Sequence, residues 1–551
     1  MILHTRRTPA APRHGYVIFA VLIVIVVLSL VAYRFTDAMT AEYRVGARAN
    51  DAAQAKAAAV SGLHYAAAVL SDRQTFANEL DGNPFDNEDI FQRFELPAAG
   101  DTNRKKAYFD IRCVVLPPDG GYEQRFGVID EGGKLNINSL IALDPTGEVL
   151  YNALLQIPGM TPEVADAIVD WVDADDTRRA SGAESGEYGS LPNPYKAKNG
   201  PLNSLDELLL VQGVTPDLLY GVDRNRNGVL DGDESGDHRG WYHYLTVYGR
   251  ELNVASDGQV RTYLNGDNLT TLQQQLTPQL GDELTAYVLA AKLFTLTKTD
   301  SSGNPSSGSA TTATATVSGS SGSGTVTLSA TSTAGATQGQ KPVTTASLAQ
   351  LQAAVATKME NTFTGGNRIR SVTDLIYTRI TLPRDPMAKA EDPDVVAFSP
   401  LLDPAKQAQL LGTLLDRTTV KSAVEMVPRI NVNTAPREVL MGIPGMTDAY
   451  ADAIVAGRAN QTPTDPAYTS AAWLITGGTL PPATFKSMEK YITGCTMVYR
   501  VQSVGYFAEG GPVARMEAVI DTNQGAPRFL FVRDLTDLDG PRGFDPTKPS
   551  Q

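Results

Sequence analysis

The twelve residues from Asp223 to Glu234, D-R-N-R-N-G-V-L-D-G-D-E, satisfy the pattern D-x-[DN]-x-[DN]-G-x5-E at every specified position. Asp223, Asn225 and Asn227 offer side-chain oxygens at alternate positions, and Gly228 permits the sharp turn between them. Val229 offers its carbonyl, Asp231 ligates directly or through water, and Glu234 closes the shell with both carboxylate oxygens. Such an oxygen-only set suits a hard divalent cation, and the spacing points to calcium. The entering segment TPDLLYG is short and ends in glycine, so the loop stands outside a paired sensor and reads as a structural site.

A second acidic constellation lies upstream. Asp170, Asp173, Asp175, Asp176 and Glu184 place five carboxylates within fifteen residues. Like charges this dense repel, and folding them together is favoured mainly when a hard cation compensates, the alternative being a solvated acidic loop. Other chemistries find little support. The five histidines, at 4, 14, 64, 238 and 243, form no H-E-x-x-H pair, and neither a G-x-S-x-G elbow nor a phosphate-binding G-x-x-x-x-G-K-[ST] loop is present. The acidic run also lacks the aromatic groove that a glycosidase pair would need. The chain reads as a non-enzyme.

The elements that must position these groups begin at the N-terminus. Gly15 is followed by the uncharged run YVIFAVLIVIVVLSLVAY, and the leader before it carries Arg6, Arg7 and Arg13 with no acid. This asymmetry keeps the leader cytoplasmic and exports the rest. Beyond Arg34, Tyr43, Ala47, Ala55, Ala59 and Leu63 recur at helical spacing until Asp81-Gly82. One helix of about 60 residues is expected, half in lipid and half the spine of a soluble domain. AYFDIRCVVL and YEQRFGVIDEGGKLNI read as antiparallel strands joined by PPDGG. MVYRVQSVGYFAEGGPVARMEAVIDT reads as a second hairpin, and RFLFVRDL as a last edge strand.

Between the hairpins the chain repeats itself. LNINSL at 135–140 leads to LLQIPGMTPEVADAIVDW, INVNTA at 430–435 leads to VLMGIPGMTDAYADAIV, and NSLDELLLVQGVTPDLLYG is a degenerate third copy. These units resemble helix-hairpin-helix modules. No Lys or Arg lies in Ile157–Glu163 or Ile443–Tyr450, and the net charge is -14, so nucleic acid is not an expected partner. Two cysteines, Cys113 and Cys495, allow a bridge but equally two separate buried thiols. The Ser/Thr/Gly-rich tract between Thr299 and Pro342 cannot bury a core.

The basic leader ending in Gly15, the aromatic Tyr16 and the apolar helix resemble the class III signal of type IV pilins and type II secretion pseudopilins. The fifth residue counted from Tyr16 is Ala20 where most such subunits carry glutamate. That departure is characteristic of the K-type minor pseudopilins, whose tip position leaves no neighbouring amine to neutralise. Asp170-Trp171-Val172-Asp173-Ala174-Asp175-Asp176, Gly182-Ala183-Glu184, Tyr188 and Lys198-Asn199-Gly200-Pro201 before a helix at Asp206-Glu207-Leu208 also resemble that family.

The resemblance implies cleavage by a prepilin peptidase between Gly15 and Tyr16, methylation of the new terminus, and an inner-membrane subunit with its bulk in the periplasm. It implies partners: the I-type and J-type minor pseudopilins and the major pseudopilin. It also implies a structural calcium ion in the first acidic region, with Asp173, Asp175 and Glu184 as preferred ligands and Asp176 a further candidate. The expected fold is α+β: a pilin-like N-terminal helix on a small antiparallel sheet, with a large, mostly α-helical insertion. The expected units are the leader 1–15, the membrane and spine helix 16–80, sheet segments 81–133 and 491–537, insertion halves 134–298 and 343–490 around the tract 299–342, and the tail 538–551. Two rivals stay open, a minor pilin of a type IV pilus and a signal-anchored, calcium-stabilised protein-binding module.

Overall fold

The computed structural model describes residues 16–97, 106–117, 121–230, 234, 236, 238–305, 342–360, 367–384, 387, 389, 392–523, 525–542 and 544. The leader with Gly15, Asp231 of the cation loop, most of the Ser/Thr-rich tract and nearly all of the C-terminal tail lie outside the described residues.

Helix α1 runs unbroken over Tyr16–Ser71. Its first turns, Tyr16–Tyr33, are uncharged and exposed on every face, and the helix's most apolar 18-residue window has a mean hydropathy of 3.0 with 0% buried among the described residues. By length and composition it is able to cross a membrane. Its second half turns Ala55, Ala58, Ala59, Gly62, Leu63, Ala66 and Leu70 inward. Small side chains let the helix lie close to the sheet. At Gly505 an added Cβ would come within 2.0 Å of the Ala55 carbonyl oxygen, so only glycine fits.

The sheet under this helix contains β1 (Phe94–Glu95), β2 (Ala107–Val115), β3 (Glu123–Arg125), β4 (Ile129–Asp130), β5 (Val498–Phe507), β6 (Ala514–Asp521) and β7 (Arg528–Asp534). Its order is β1-β2-β5-β6-β7, with β3 beside β2 and β4 beside β5. All these pairs are antiparallel, with Cys113 opposite Arg125, Ser503 opposite Ile111 and Val498 opposite Asp521. Most of the chain, from Glu131 to Met497, enters between β4 and β5. The architecture is thus the expected one, a long helix on a small antiparallel sheet that carries a large helical insertion.

One strand differs from the expectation. The second strand of the first hairpin does not run through to Ile137; it stops at Arg125, resumes for Ile129–Asp130, and breaks at a 3-10 turn over Glu131–Gly133. The Asp130 carboxylate accepts the Gly132 N–H at 2.8 Å, which turns the chain out of the sheet. Leu135–Asn136 then pairs in parallel with Leu245–Thr246 inside the insertion. Ile430–Asn431 pairs in the same way with Ile492–Thr493, and Thr262–Tyr263 with Thr418–Thr419. Three such parallel clasps hold the insertion. The I-P-G-M echo has a common geometry: Gly159, Gly213 and Gly445 are left-handed, and Thr161, Thr215 and Thr447 each cap the next helix by accepting an N–H. Asp206-Glu207-Leu208 lies in a 3-10 turn over Leu205–Leu210 where an α-helix was expected. A four-stranded sheet spanning Leu296–Lys298, Thr378–Thr381, Asp394–Phe398 and Val343–Thr345 has no counterpart in the sequence reading. No disulfide joins Cys113 and Cys495.

Candidate metal centre

Helix α2 (Pro162–Val172) starts at the Thr161 cap with proline in its first turn and buries Val164 through Val172. Asp170 sits in its last turn and Asp173 is its C-cap, so the two carboxylates stand three residues apart on one face. Acids at a helix C-terminus oppose the macrodipole. Glu184 returns from the following loop, anchored where its backbone N–H donates to Glu187 at 2.9 Å. One carboxylate oxygen from each of Asp170, Asp173 and Glu184 lies within 4.8 Å of the others. Ligands held about 2.3–2.6 Å from a single calcium ion span this distance.

These carboxylates are desolvated and under-partnered. Asp170 is 0%, Asp173 9% and Glu184 4% exposed. Asp173 Oδ1 and both oxygens of Glu184 are buried without a well-formed hydrogen bond among the described residues, the Glu187 amide approaching the Glu184 side chain as in a capping box. The nearby cations are committed elsewhere. Arg179 donates through Nε to Asp166 at 2.9 Å and through Nη2 to Glu148 at 2.7 Å, giving Asp170 only its backbone N–H. Arg178 pairs with Glu187 at 3.2 Å. Burial, joined by the charges of Asp170, Asp173 and Asp176, pushes Glu184 up to about 7. Burial also raises Asp170 and Asp173 to about 6 each. Buried carboxylate oxygens without donors are what a hard cation satisfies, and the donor set fits calcium.

Asp175 and Asp176 are exposed and engaged locally. Asp175 accepts the Thr177 N–H at 2.7 Å, and Asp176 accepts from Ser185 Oγ at 3.1 Å and Asn199 Nδ2 at 3.0 Å. The sequence reading named Asp170 in the acidic run but not among the preferred ligands. Its i, i+3 spacing to Asp173 was the available signal. A further buried oxygen without a donor, Asn199 Oδ1, belongs to the side chain that bonds Asp176.

The loop that starts at Asp223 is built differently. Asp223 Oδ1 accepts the Asn227 N–H at 3.0 Å and Oδ2 the Gly228 N–H at 2.8 Å, while Asn227 Oδ1 accepts the Val229 N–H at 2.7 Å. Gly228 is left-handed, with φ of 75°. Glu234 reaches back to accept the Arg224 N–H at 3.0 Å. Burial raises Asp223 to about 6 against the opposing pull of these amides.

This loop is also clamped to the sheet. Arg515 Nη2 donates to the Asn225 carbonyl at 2.6 Å, and Gln502 Nε2 to the Arg226 carbonyl at 3.2 Å. The Arg226 guanidinium enters a buried network, 3.4 Å from Glu517. There Arg500 bridges Glu517 at 3.3 Å and Glu131 at 2.6 Å, Lys134 pairs with Glu131 at 2.9 Å, and Tyr242 bonds Glu517. Burial alone would raise Glu131, but the Arg500 and Lys134 charges overcome it and bring it down to about 2. No feature of the sequence marks Arg226, a variable position of the loop pattern, as an inward anchor.

Residues 133–223 match the family model described as type II secretion system (T2SS), protein K. The chain is 39% identical over 116 residues to type II secretion system protein K of Pectobacterium carotovorum subsp. carotovorum, covering 19% of this chain and 35% of that one. It is 30% identical over 102 residues to the Pseudomonas aeruginosa protein of the same name, covering 17% of this chain and 31% of that one. The chain therefore matches about a third of the length of these relatives. A solved structure, the GspK-GspI-GspJ complex of the enterotoxigenic Escherichia coli type 2 secretion system, is similar at 11% identity with a TM-score of 0.34, over 91% of this chain and 99% of that one.

Proposed function

We propose that this chain, whose residues 133–223 belong to the type II secretion protein K family, is a minor pseudopilin that caps and nucleates the secretion pseudopilus. The observation that carries this reading is where the family segment sits: inserted between β4 and β5 of a helix-on-sheet body whose N-terminal helix leaves its apolar half bare. A bare apolar half-helix suits membrane storage and then lateral packing against the helices of other subunits. The bulk of the insertion suits the end of a filament, where nothing stacks above it. Partners of the I and J type accord with the complex described for the Escherichia coli protein. The subunit is held in the inner membrane with its head in the periplasm, and its part in export is mechanical rather than enzymatic.

Calcium serves this head as a structural ion. Asp170, Asp173 and Glu184 would hold it, and the Asp223–Glu234 loop would hold a second. Bound there, the ion supplies positive charge that offsets the repulsion of the carboxylates.

The test is the intact N-terminal mass of the membrane-extracted protein made with and without its prepilin peptidase. A chain beginning at methylated Tyr16 only when the peptidase is present is expected. An uncut chain beginning at Met1 in both would overturn the pseudopilin reading in favour of a signal-anchored module.

A further inference from the structure

The chain has a formal charge of -14, yet one cavity of about 290 Å³ in its insertion is lined by six cationic side chains. Arg261, Arg370, Lys421, Arg429, Lys486 and Lys490 converge there against a single lining carboxylate, Glu489. The cavity lies where the clasp of Thr262–Tyr263 with Thr418–Thr419 meets the clasp of Ile430–Asn431 with Ile492–Thr493.

Part of this charge is already neutralised. Arg429 pairs with Glu251 through Nε at 3.1 Å and donates Nη1 to the Glu489 carbonyl at 3.3 Å. Lys486 pairs with Asp374. Glu489 accepts the Ser371 hydroxyl, and burial, the largest influence on it, raises its pKa against the opposing pull of Ser371, Arg429 and Lys421. The remaining four cations form no ion pair among the described residues, although Arg261 feels the charges of Glu251 and Asp416, and Lys421 that of Glu489. Arg261 is half-buried, and its side chain's one hydrogen bond among the described residues runs from Nε to the Asp416 carbonyl at 2.8 Å, leaving both terminal amino groups without an acceptor there. Arg370, Lys421 and Lys490 are exposed and form no ion pair among the described residues. Burial first, and then the neighbouring Arg429 charge, lower the Arg261 pKa against the opposing pull of Glu251 and Asp416.

We propose that this cavity is a binding site for a small doubly charged oxyanion, of the sulfate, phosphate or dicarboxylate class, with Arg261 at its floor and Arg370, Lys421 and Lys490 around its mouth. A planar guanidinium with two free amino groups matches the paired oxygens of such an ion, and the lysines supply charge without fixed geometry. The volume takes a few heavy atoms with their water and excludes a folded segment. Bound where the two clasps meet, the anion would tie them together.

Isothermal titration of the detergent-solubilised full chain, kept saturated with calcium, with sulfate and with malonate tests this, using chloride at equal ionic strength as the reference. Saturable binding with a Kd of about 0.1–1 mM is expected. The double variant Arg370→Glu, Lys421→Glu, which changes only exposed side chains, should weaken it about tenfold or more. Arg261→Gln should abolish it. Heats no larger than those of chloride, or equal binding by the double variant, would overturn the assignment. So would binding of an oligoglutamate peptide where both free dianions fail.

Discussion

The two cation-site candidates invert the ranking that their sequences suggest. The loop from Asp223 to Glu234 matches its motif at every position, yet its oxygens are largely engaged by its own amides and its Arg226 is bolted into the sheet. The Asp170, Asp173 and Glu184 cluster has no comparable motif, yet three of its buried oxygens lack a well-formed hydrogen bond. Pattern fidelity reports that a backbone can wrap a cation. Orphaned buried oxygens mark where a cation would satisfy groups that the protein itself leaves without donors. The loop is held mainly by what surrounds it, whereas the cluster is held by what it would bind.

This contrast can be broken or sharpened by experiment. The largest effect is expected from Glu517→Ala, which strips the carboxylate from Arg226, Arg500 and Tyr242. Leaving buried guanidinium groups unpaired should cost roughly 3–5 kcal/mol in denaturant unfolding, and added calcium should not restore it. Next, Asp173→Asn with Glu184→Gln should weaken the tighter calcium event seen by titration by about a hundredfold or more while leaving loop binding in place. Asp223→Ala removes the acceptor for two amides and should cost about 1–3 kcal/mol with or without calcium. If that loss appears only in calcium, the loop is not pre-organised and the contrast fails.

The fourth prediction concerns pH. In the calcium-free protein Asp170, Asp173 and Glu184 titrate above ordinary carboxylates, so the folded state holds protons that the unfolded chain has released. Their contribution to stability is full below the ordinary carboxylate range near pH 4 and is lost as pH rises through about 6 to 7. Melting temperature without calcium should fall across that window, and with saturating calcium the fall should disappear. Thermal scans from pH 4 to pH 8, with and without chelator, read this directly.

What was legible in the chain follows from how local its causes are. The run from Tyr16 to Tyr33 and the alanine spacing after it specify α1, because both lipid and close helix–sheet packing select side chains directly. The β5–β6 hairpin was legible because its alternation and its glycine turn are contiguous. The strand break at Asp130 was not, since it depends on a carboxylate folding back on its own backbone. The four-stranded sheet was not, since its pairings join segments on both sides of the Ser/Thr-rich tract. In the cluster, membership turned on where α2 ends. Termination at Val172 presents Asp170 and Asp173 together and turns Asp175 and Asp176 toward solvent. The network of Glu131, Arg226, Arg500 and Glu517 joins residues remote in sequence, and no spacing rule announces it.

The most direct test of this account is the melting temperature of wild type and Glu184→Gln at neutral pH, each in chelator and in saturating calcium. The account predicts a crossing: in chelator the variant melts higher, because it removes a buried carboxyl group whose ionisation near neutral pH is opposed by its acidic neighbours, and in calcium the wild type melts higher. A variant that melts lower than wild type in chelator as well would mean that Glu184 is satisfied by the protein itself, and would contradict the claim that this fold is completed by a cation.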